Sequence, residues 1–328
     1  MRDALLQLRD FSVSFPATRG EVHALRNISL DVRRGEVFGI VGESGSGKST
    51  LLTAIMGLLG PGARSSGSIR FDGRELQTMT KRDYRTLRGA RISMVFQNPM
   101  TTLSPVVRID QQMVDILHRD KGSRADKLAR AAVMLSKVGI PDPLARLQSY
   151  PHQMSGGMLQ RISIGMALMS RPDLLIADEP TTALDATLEV QILQLLRDLR
   201  EEIGCSILYV SHHLGTVAQM CDRVAVMYAG SVVEQGSVQR VLGAPGHPYS
   251  RRLLDCDPSR VYQPGTFLPT IPGVVPDLSQ HWAGCAFQPR CDMAVSACIR
   301  EHPALRGSQG HAVACHVTAE GERRGQLA

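Results

Sequence analysis

One nine-residue stretch, GESGSGKST from Gly42 to Thr50, constrains this chain more than any other. The apolar run EVFGIVG stands before it and has the composition of a buried strand. KSTLLTAIMGLLG follows and predicts a helix that stops at Gly60 and Pro61. The stretch fits G-x-x-x-x-G-K-[ST] in the strand–turn–helix setting that the pattern requires. Its glycines, Gly42, Gly45 and Gly47, let backbone N–H groups wrap phosphate oxygens. Glu43, Ser44 and Ser46 lie between them, and the helix N-terminus behind adds about half a positive charge. Lys48 is placed to neutralise β- and γ-phosphates. Ser49, ahead of Thr50, offers a hydroxyl to Mg²⁺.

The remaining pattern agrees with a sheet built around that turn. From Leu5 to Val32 the residues alternate in strand fashion, and RISMVFQ predicts another strand. LLIAD and SILYVS are short apolar runs typical of parallel strands covered on both faces. Between them Leu188, Ile192, Leu195, Leu196, Leu199 and Ile203 fall on one helical stripe that Gly204 ends. Strand, helix, strand in this order predicts a parallel α/β sheet. Asn98 to about Tyr150 is helical and more charged, as in an inserted helical subdomain. Asp178 closes the run LLIAD at the carboxyl edge of the sheet, where it can hold Mg²⁺ through water. Glu179, one residue on, either polarises an attacking water or pairs with a neighbouring base.

A phosphate loop, then SGGMLQR, then a strand ending in DEP resembles the ATP-binding subunit of an ABC transporter. That resemblance implies a P-loop NTPase core with an antiparallel β subdomain and an inserted helical subdomain near residues 98–165. Phe15 sits where that family stacks an aromatic ring on adenine. Gln97 in VFQNP matches the glutamine that senses Mg²⁺, the water and the membrane partner. Ser155, Gly156 and Gly157 match the signature loop, Asp185 in TTALD matches the loop that faces the other subunit, and His212 matches the switch histidine on the γ-phosphate. Singly, Gln97 reads as a strand-end cap, His212 as a satisfied helix-start histidine and Phe15 as core; their order and joint presence carry the resemblance. Two departures stand out: His213 replaces the usual acidic residue after the switch histidine, and Met154 and Met158 flank the signature where Leu and Gln are common. Met158 is shared with the peptide and nickel importers. The resemblance further implies ATP and Mg²⁺ as ligands and two nucleotides sandwiched between two ATPase subunits. A heterodimer with a homologous ATPase is expected, below two membrane-spanning permease subunits and an extracytoplasmic solute-binding protein.

After Gly243 the texture changes, with recurrent prolines and no long period, which sets a boundary near 245 between a nucleotide-binding domain of residues 1–245 and an extension of residues 246–328. APGHPYSRRLL and the spacing C-x5-C-x6-C-x16-C (Cys285, Cys291, Cys298 and Cys315) resemble the C-terminal extension of oligopeptide and dipeptide importer ATPases. No apolar run approaches the roughly 18 residues of a membrane span, and MRDALLQLRDF has acids inside its short apolar stretch, unlike a signal peptide. The chain therefore reads as cytosolic, and the resemblance implies a peripheral place on the inner face of a bacterial membrane. In a reducing compartment clustered cysteines favour metal over disulfides. Some members of the resembled branch hold a [4Fe–4S] cluster there; zinc and plain thiols are the alternatives. The nearby His281, His311 and His316 read as surface residues, and Cys205 and Cys221 as small hydrophobes. A net charge of +6, spread thinly over 328 residues, is weak evidence for nucleic acid, and no second cassette or coiled coil supports that partner. The expected cargo is di- or oligopeptides, with nickel or another small solute as the alternative.

Overall fold

A computed structural model describes residues 3–18, 20–182, 184–257, 269–280, 282–308 and 310–318; His281 lies outside them. In chain order the elements begin with β1 (Ala4–Ala17), β2 (Gly20–Arg33), β3 (Val37–Val41), α1 (Lys48–Ile55), β4 (Arg64–Phe71) and β5 (Arg74–Glu75). Then come α2 (Lys81–Leu87), β6 (Ile92–Val95), α3 (Pro99–Thr102), α4 (Ile109–Ile116), α5 (Arg124–Lys137), α6 (Pro143–Leu147) and α7 (Gly156–Leu168). β7 (Leu174–Asp178), α8 (Ala186–Ile203), β8 (Ser206–Val210), α9 (Leu214–Met220), β9 (Arg223–Tyr228), β10 (Ser231–Ser237) and α10 (Val238–Gly243) follow. The chain ends in α11 (Pro248–Asp255), α12 (Ala297–Arg300), β11 (Arg306–Ser308) and β12 (His311–Val313). It divides into two compact units, one of Met1–Arg33, Val37–Thr78 and Ser211–Ala328, the other of Arg34–Glu36 and Met79–Val210.

In the first unit an antiparallel sheet runs in the order β2-β1-β4-β5. Leu6, Leu8, Phe11 and Val13 of β1 are all essentially buried, although strict alternation breaks between Leu8 and Phe11. A register shift there absorbs the extra residue. Asp10 takes up the bulge at φ 46°. Opposite it, a Cβ on Gly67 would come within 2.3 Å of the Asp10 carbonyl oxygen, so only glycine fits. The same unit carries β3 parallel to β9, with β9-β10-β12-β11 continuing antiparallel. β12 lies on β10 with Val313 opposite Glu234. These three-residue strands are too short to show a period in sequence, so the tail reads there as irregular. The helix after the phosphate loop also ends earlier than its sequence predicts: α1 stops at Ile55, because Gly57 turns the chain at φ 60° before the apolar run is finished.

In the second unit β6, β7 and β8 are parallel neighbours. Leu174 to Ala177 and Ser206 to Val210 are fully buried, as expected of strands covered on both faces. The helices have written-in starts. Thr80 with Asp83 forms a capping box on α2, and Ser123 with Asp126 does the same for α5. α8 buries Ile192, Leu195, Leu196 and Leu199 of the predicted stripe and stops at Gly204 in the left-handed conformation, φ 77°. No helix among the described residues is long and apolar enough to cross a membrane.

Candidate functional site

The first unit holds the phosphate loop between β3 and α1. Gly42 has φ 155°, and a Cβ there would meet the Met227 carbonyl oxygen at 2.2 Å. A Cβ on Gly47, φ 100°, would meet the Ala24 carbonyl oxygen at 2.7 Å. Neighbouring strands therefore press directly on the loop backbone, and glycine is required by space as well as by φ. Gly230 N–H donates to the Ser46 carbonyl at 3.0 Å, and Arg26 N–H to the Gly230 carbonyl at 2.8 Å, which ties the loop to β2 and to the β9–β10 turn. Lys48 is buried, with Nζ donating to the carbonyls of Gly42 (2.7 Å) and Glu43 (2.9 Å). Ser44, Gly45 and Ser49 are exposed, so the outer rim and the candidate Mg²⁺ hydroxyl are reachable. Thr50 is half-buried in the first turn of α1.

Two further predicted residues belong to this unit. Phe15 is half-buried on β1, paired with Val22 of β2. His212 is exposed, and its ring lies 4.2 Å from that of His213. His213 forms the N-cap position of α9, and Ser211 Oγ accepts its N–H at 3.0 Å. Ser211 N–H in turn donates to the Ile40 carbonyl at 3.2 Å, so the switch loop is anchored to β3.

The second unit gathers the remaining residues. Asp178 ends β7. Glu179 follows at φ 46°, unusual for a residue with a side chain, and its N–H donates to the Val210 carbonyl at 2.9 Å. Its Oε2 accepts from Gln97 Nε2 at 2.9 Å and from Thr182 Oγ1 at 2.9 Å. Neutral amide and hydroxyl donors hold this carboxylate, which is the geometry of a positioned acceptor. Gln97 and Glu179, 82 residues apart in sequence, thus meet in the fold. Gln160 was assigned no role by its sequence, but its buried side chain donates to the Pro180 carbonyl at 2.6 Å and holds the loop after Glu179.

The signature residues stand at a helix N-terminus. Ser155 caps α7 by accepting Met158 N–H at 3.3 Å. Ser155 and Gly156 are exposed, so the first N–H groups of α7 face outward, where an anion can reach them. A Cβ on Gly157 would fall 2.4 Å from Leu188 Cδ2, so glycine lets α7 approach α8 closely. Asp185, also exposed, caps α8 by accepting Leu188 N–H at 2.9 Å.

Comparison with known proteins gives these features a family. A family model for ABC transporter matches residues 25–182, and one for oligopeptide/dipeptide transporter, C-terminal region, matches residues 233–298. The oligopeptide transport ATP-binding protein of Salmonella typhimurium is 44% identical over 319 residues, 97% of this chain and 95% of that one. The chain belongs to the oligopeptide/dipeptide-importer family of ABC transporter ATP-binding subunits. The dipeptide transport ATP-binding protein of Escherichia coli is 42% identical over 327 residues, 99% of this chain and all of that one. Among solved structures, a dimeric ATP-binding cassette in a post-hydrolysis state bound to ADP and Pi aligns with TM-score 0.63 and 27% identity, covering 71% of this chain and 98% of that one. A cassette of Clostridium perfringens described as part of an ABC transporter complex aligns with TM-score 0.64 and 30% identity, covering 74% and 92%. As a member of the ABC ATPase family, the protein binds and hydrolyses ATP.

The importer-type extension packs in the first unit. Cys285, Cys291, Cys298 and Cys315 line one small cavity together with His247, Phe287 and His316. All four are free thiols. Burial first, and then the neighbouring thiols, push Cys285 up to about 11, and burial raises Cys291 as well. The donor chemistry is that of a thiolate metal site. Among the described residues, however, no group of three or more His, Cys, Asp or Glu side chains is arranged to hold a metal ion. The expected [4Fe–4S] cluster therefore finds four thiols around one cavity but no formed ligand set. His311 is not a free surface residue: its Nε2 lies 2.8 Å from the buried Glu234 carboxylate. Cys205 and Cys221 are buried as small hydrophobes, and burial pushes Cys205 up to about 11. Sequence reasoning missed two residues of the extension that touch the phosphate loop, Tyr249 and Arg290. Both lie inside the quoted tail motifs, but nothing in those motifs names a partner some two hundred residues earlier.

Proposed function

We propose that this protein powers the uptake of di- and oligopeptides through a bacterial ABC importer, bound to the cytoplasmic face of the inner membrane. The observation that carries this reading is 42% and 44% identity, over nearly the full length, to proteins named as dipeptide and oligopeptide transport ATP-binding proteins, together with the match of residues 233–298 to the oligopeptide/dipeptide transporter C-terminal region. Gly42 to Thr50, with Lys48, cradle the phosphates, and Phe15 stacks on the adenine. Ser49, Gln97 and Asp178 hold Mg²⁺, whose charge offsets that of the β- and γ-phosphates. Glu179 accepts a proton from the attacking water. Gln97, already hydrogen-bonded to it, fixes the carboxylate's orientation, and His212 faces the γ-phosphate.

Ser155, Gly156 and Gly157 serve the nucleotide of a second, homologous ATPase, and Asp185 faces that subunit. The exposed N-terminus of α7 supports this, since it offers N–H groups to an anion from outside. Two permease subunits and a solute-binding protein complete the importer. The four tail thiols hold a [4Fe–4S] cluster that staples a proline-rich segment with little core of its own; their shared cavity supports this reading.

Deletion of the gene, followed by uptake of labelled dipeptides, longer peptides and nickel, tests the cargo. Loss of peptide uptake restored by wild type but not by Glu179→Gln is the expected result. Loss of nickel uptake alone reassigns the cargo to the metal.

A further inference from the structure

Glu43 is the one acidic residue within the phosphate loop GESGSGKST, and a carboxylate beside a polyphosphate is repulsive unless something neutralises it. Its side chain is a quarter exposed, and across from it stands Arg290, whose side chain is only 4% exposed. Arg290 Nη1 donates to Glu43 Oε2 at 2.9 Å and Nη2 donates to Oε1 at 3.3 Å, a fork-on-fork pair. The other guanidinium donors are also satisfied. Nε bonds the Pro272 carbonyl at 2.8 Å, Nη2 the Ile271 carbonyl at 3.1 Å and Nη1 the Tyr228 hydroxyl at 3.3 Å. Five donors thus meet five acceptors, a pattern only arginine can fill. On the same residue, Glu43 N–H donates to Tyr249 Oη at 2.9 Å, so this amide is committed to α11. Tyr249 is fully buried, and its ring packs against Tyr228 and Phe287 at centroid distances of 4.6 and 5.4 Å. The extension therefore grips both the backbone and the side chain of Glu43.

We propose that Arg290, with Tyr249, is a positioning residue for the ATP phosphate loop: the C-terminal extension clasps Glu43, cancels its charge and sets the loop's conformation before nucleotide arrives. The proposal rests on the reading of Gly42 to Thr50 as the ATP site. The clasp acts through the loop and contributes by raising the fraction of loop in the binding-competent shape. If that fraction falls to about a tenth, apparent affinity falls about tenfold. Charge makes the proposal sharper. Arg290→Ala leaves an uncompensated carboxylate facing the phosphates, whereas Glu43→Gln with Arg290→Met removes both charges at similar volume.

The test is calorimetric titration of Mg·ADP into the purified full-length chain and its variants. Arg290→Ala is expected to weaken binding about tenfold or more, Arg290→Lys to recover part of that loss, and the Glu43→Gln/Arg290→Met pair to bind more tightly than Arg290→Ala alone. A merely structural arginine would give losses that add in the double variant, and additive losses overturn the clasp. Lys48→Ala, carried alongside, separates the two readings. If Lys48→Ala abolishes binding while Arg290→Ala binds like wild type, the clasp is wrong and the phosphate loop stands. If Lys48→Ala binds like wild type, the phosphate-loop reading fails and takes the clasp with it. Should Arg290→Ala not fold, Arg290→Met, which keeps the side-chain volume, closes the cycle with Glu43→Gln and the double variant, and the departure from additivity decides.

Discussion

His247 gives a pH dependence that can be worked out from its surroundings. It is 1% exposed, and its Nδ1 accepts Tyr249 N–H at 3.0 Å, which caps α11 and leaves the ring proton on Nε2. Its backbone N–H donates to Glu234 Oε2 at 2.9 Å. Burial pushes its pKa down to about 3, whereas an unfolded histidine titrates near about 6.5. Between those values the unfolded chain binds a proton that the folded chain refuses. Stability from this group is therefore complete above about pH 6.5 and is lost as pH falls, at about 1.4 kcal/mol per pH unit, until about pH 3. Going from about pH 7.5 to about pH 5.5 should cost between about 1 and 2 kcal/mol. Urea unfolding followed by fluorescence of the single tryptophan measures it. Trp282 lies in the extension under the Arg26 guanidinium, 4.6 Å from the ring centre. The control is His247→Asn, which keeps an acceptor for the cap but cannot titrate. The variant leaves Glu234 and its neighbour His311 in place, so the comparison isolates the His247 imidazole. Wild type should lose about 1 to 2 kcal/mol more than the variant over this interval. Equal losses would refute the assignment of a buried neutral imidazole.

Other variants probe the site. Glu179→Gln should retain ATP binding while kcat falls roughly a hundredfold or more, measured as phosphate release. Gly42→Ala forces a Cβ to 2.2 Å from the Met227 carbonyl oxygen and should destabilise the protein by about 2 kcal/mol or more in a denaturant titration. Gly157→Ala meets only the flexible end of Leu188, so its melting should shift by less than about 1.5 kcal/mol equivalent while ATPase activity of the assembled transporter drops. Protein purified without oxygen should carry iron and a visible iron–sulfur absorption that disappears in Cys285→Ser/Cys298→Ser; colourless, iron-free wild type would remove the cluster reading.

The phosphate loop, Asp178, Glu179 and the signature were legible because each is a local pattern, with residue types at fixed spacing beside a strand or a helix start. The buried strands β3, β7 and β8 were legible from apolar runs for the same reason. Other features depend on residues far apart in the chain. Alternation alone could not place the bulge at Asp10, since a slipped register becomes visible only once Gly67 of β4 lies against it. The early stop of α1 at Gly57 competes with an apolar run that favours continuing, and the turn won. Gln97 and Glu179 were separately legible, but their 2.9 Å hydrogen bond belongs to the fold. Sequence by itself determined the family to which this protein belongs, because the phosphate-loop and signature patterns are written as residue types at short range. Tertiary structure alone decided that a buried arginine and a tyrosine of the extension grip the phosphate loop, because a contact spanning 247 residues exists only after the chain has packed.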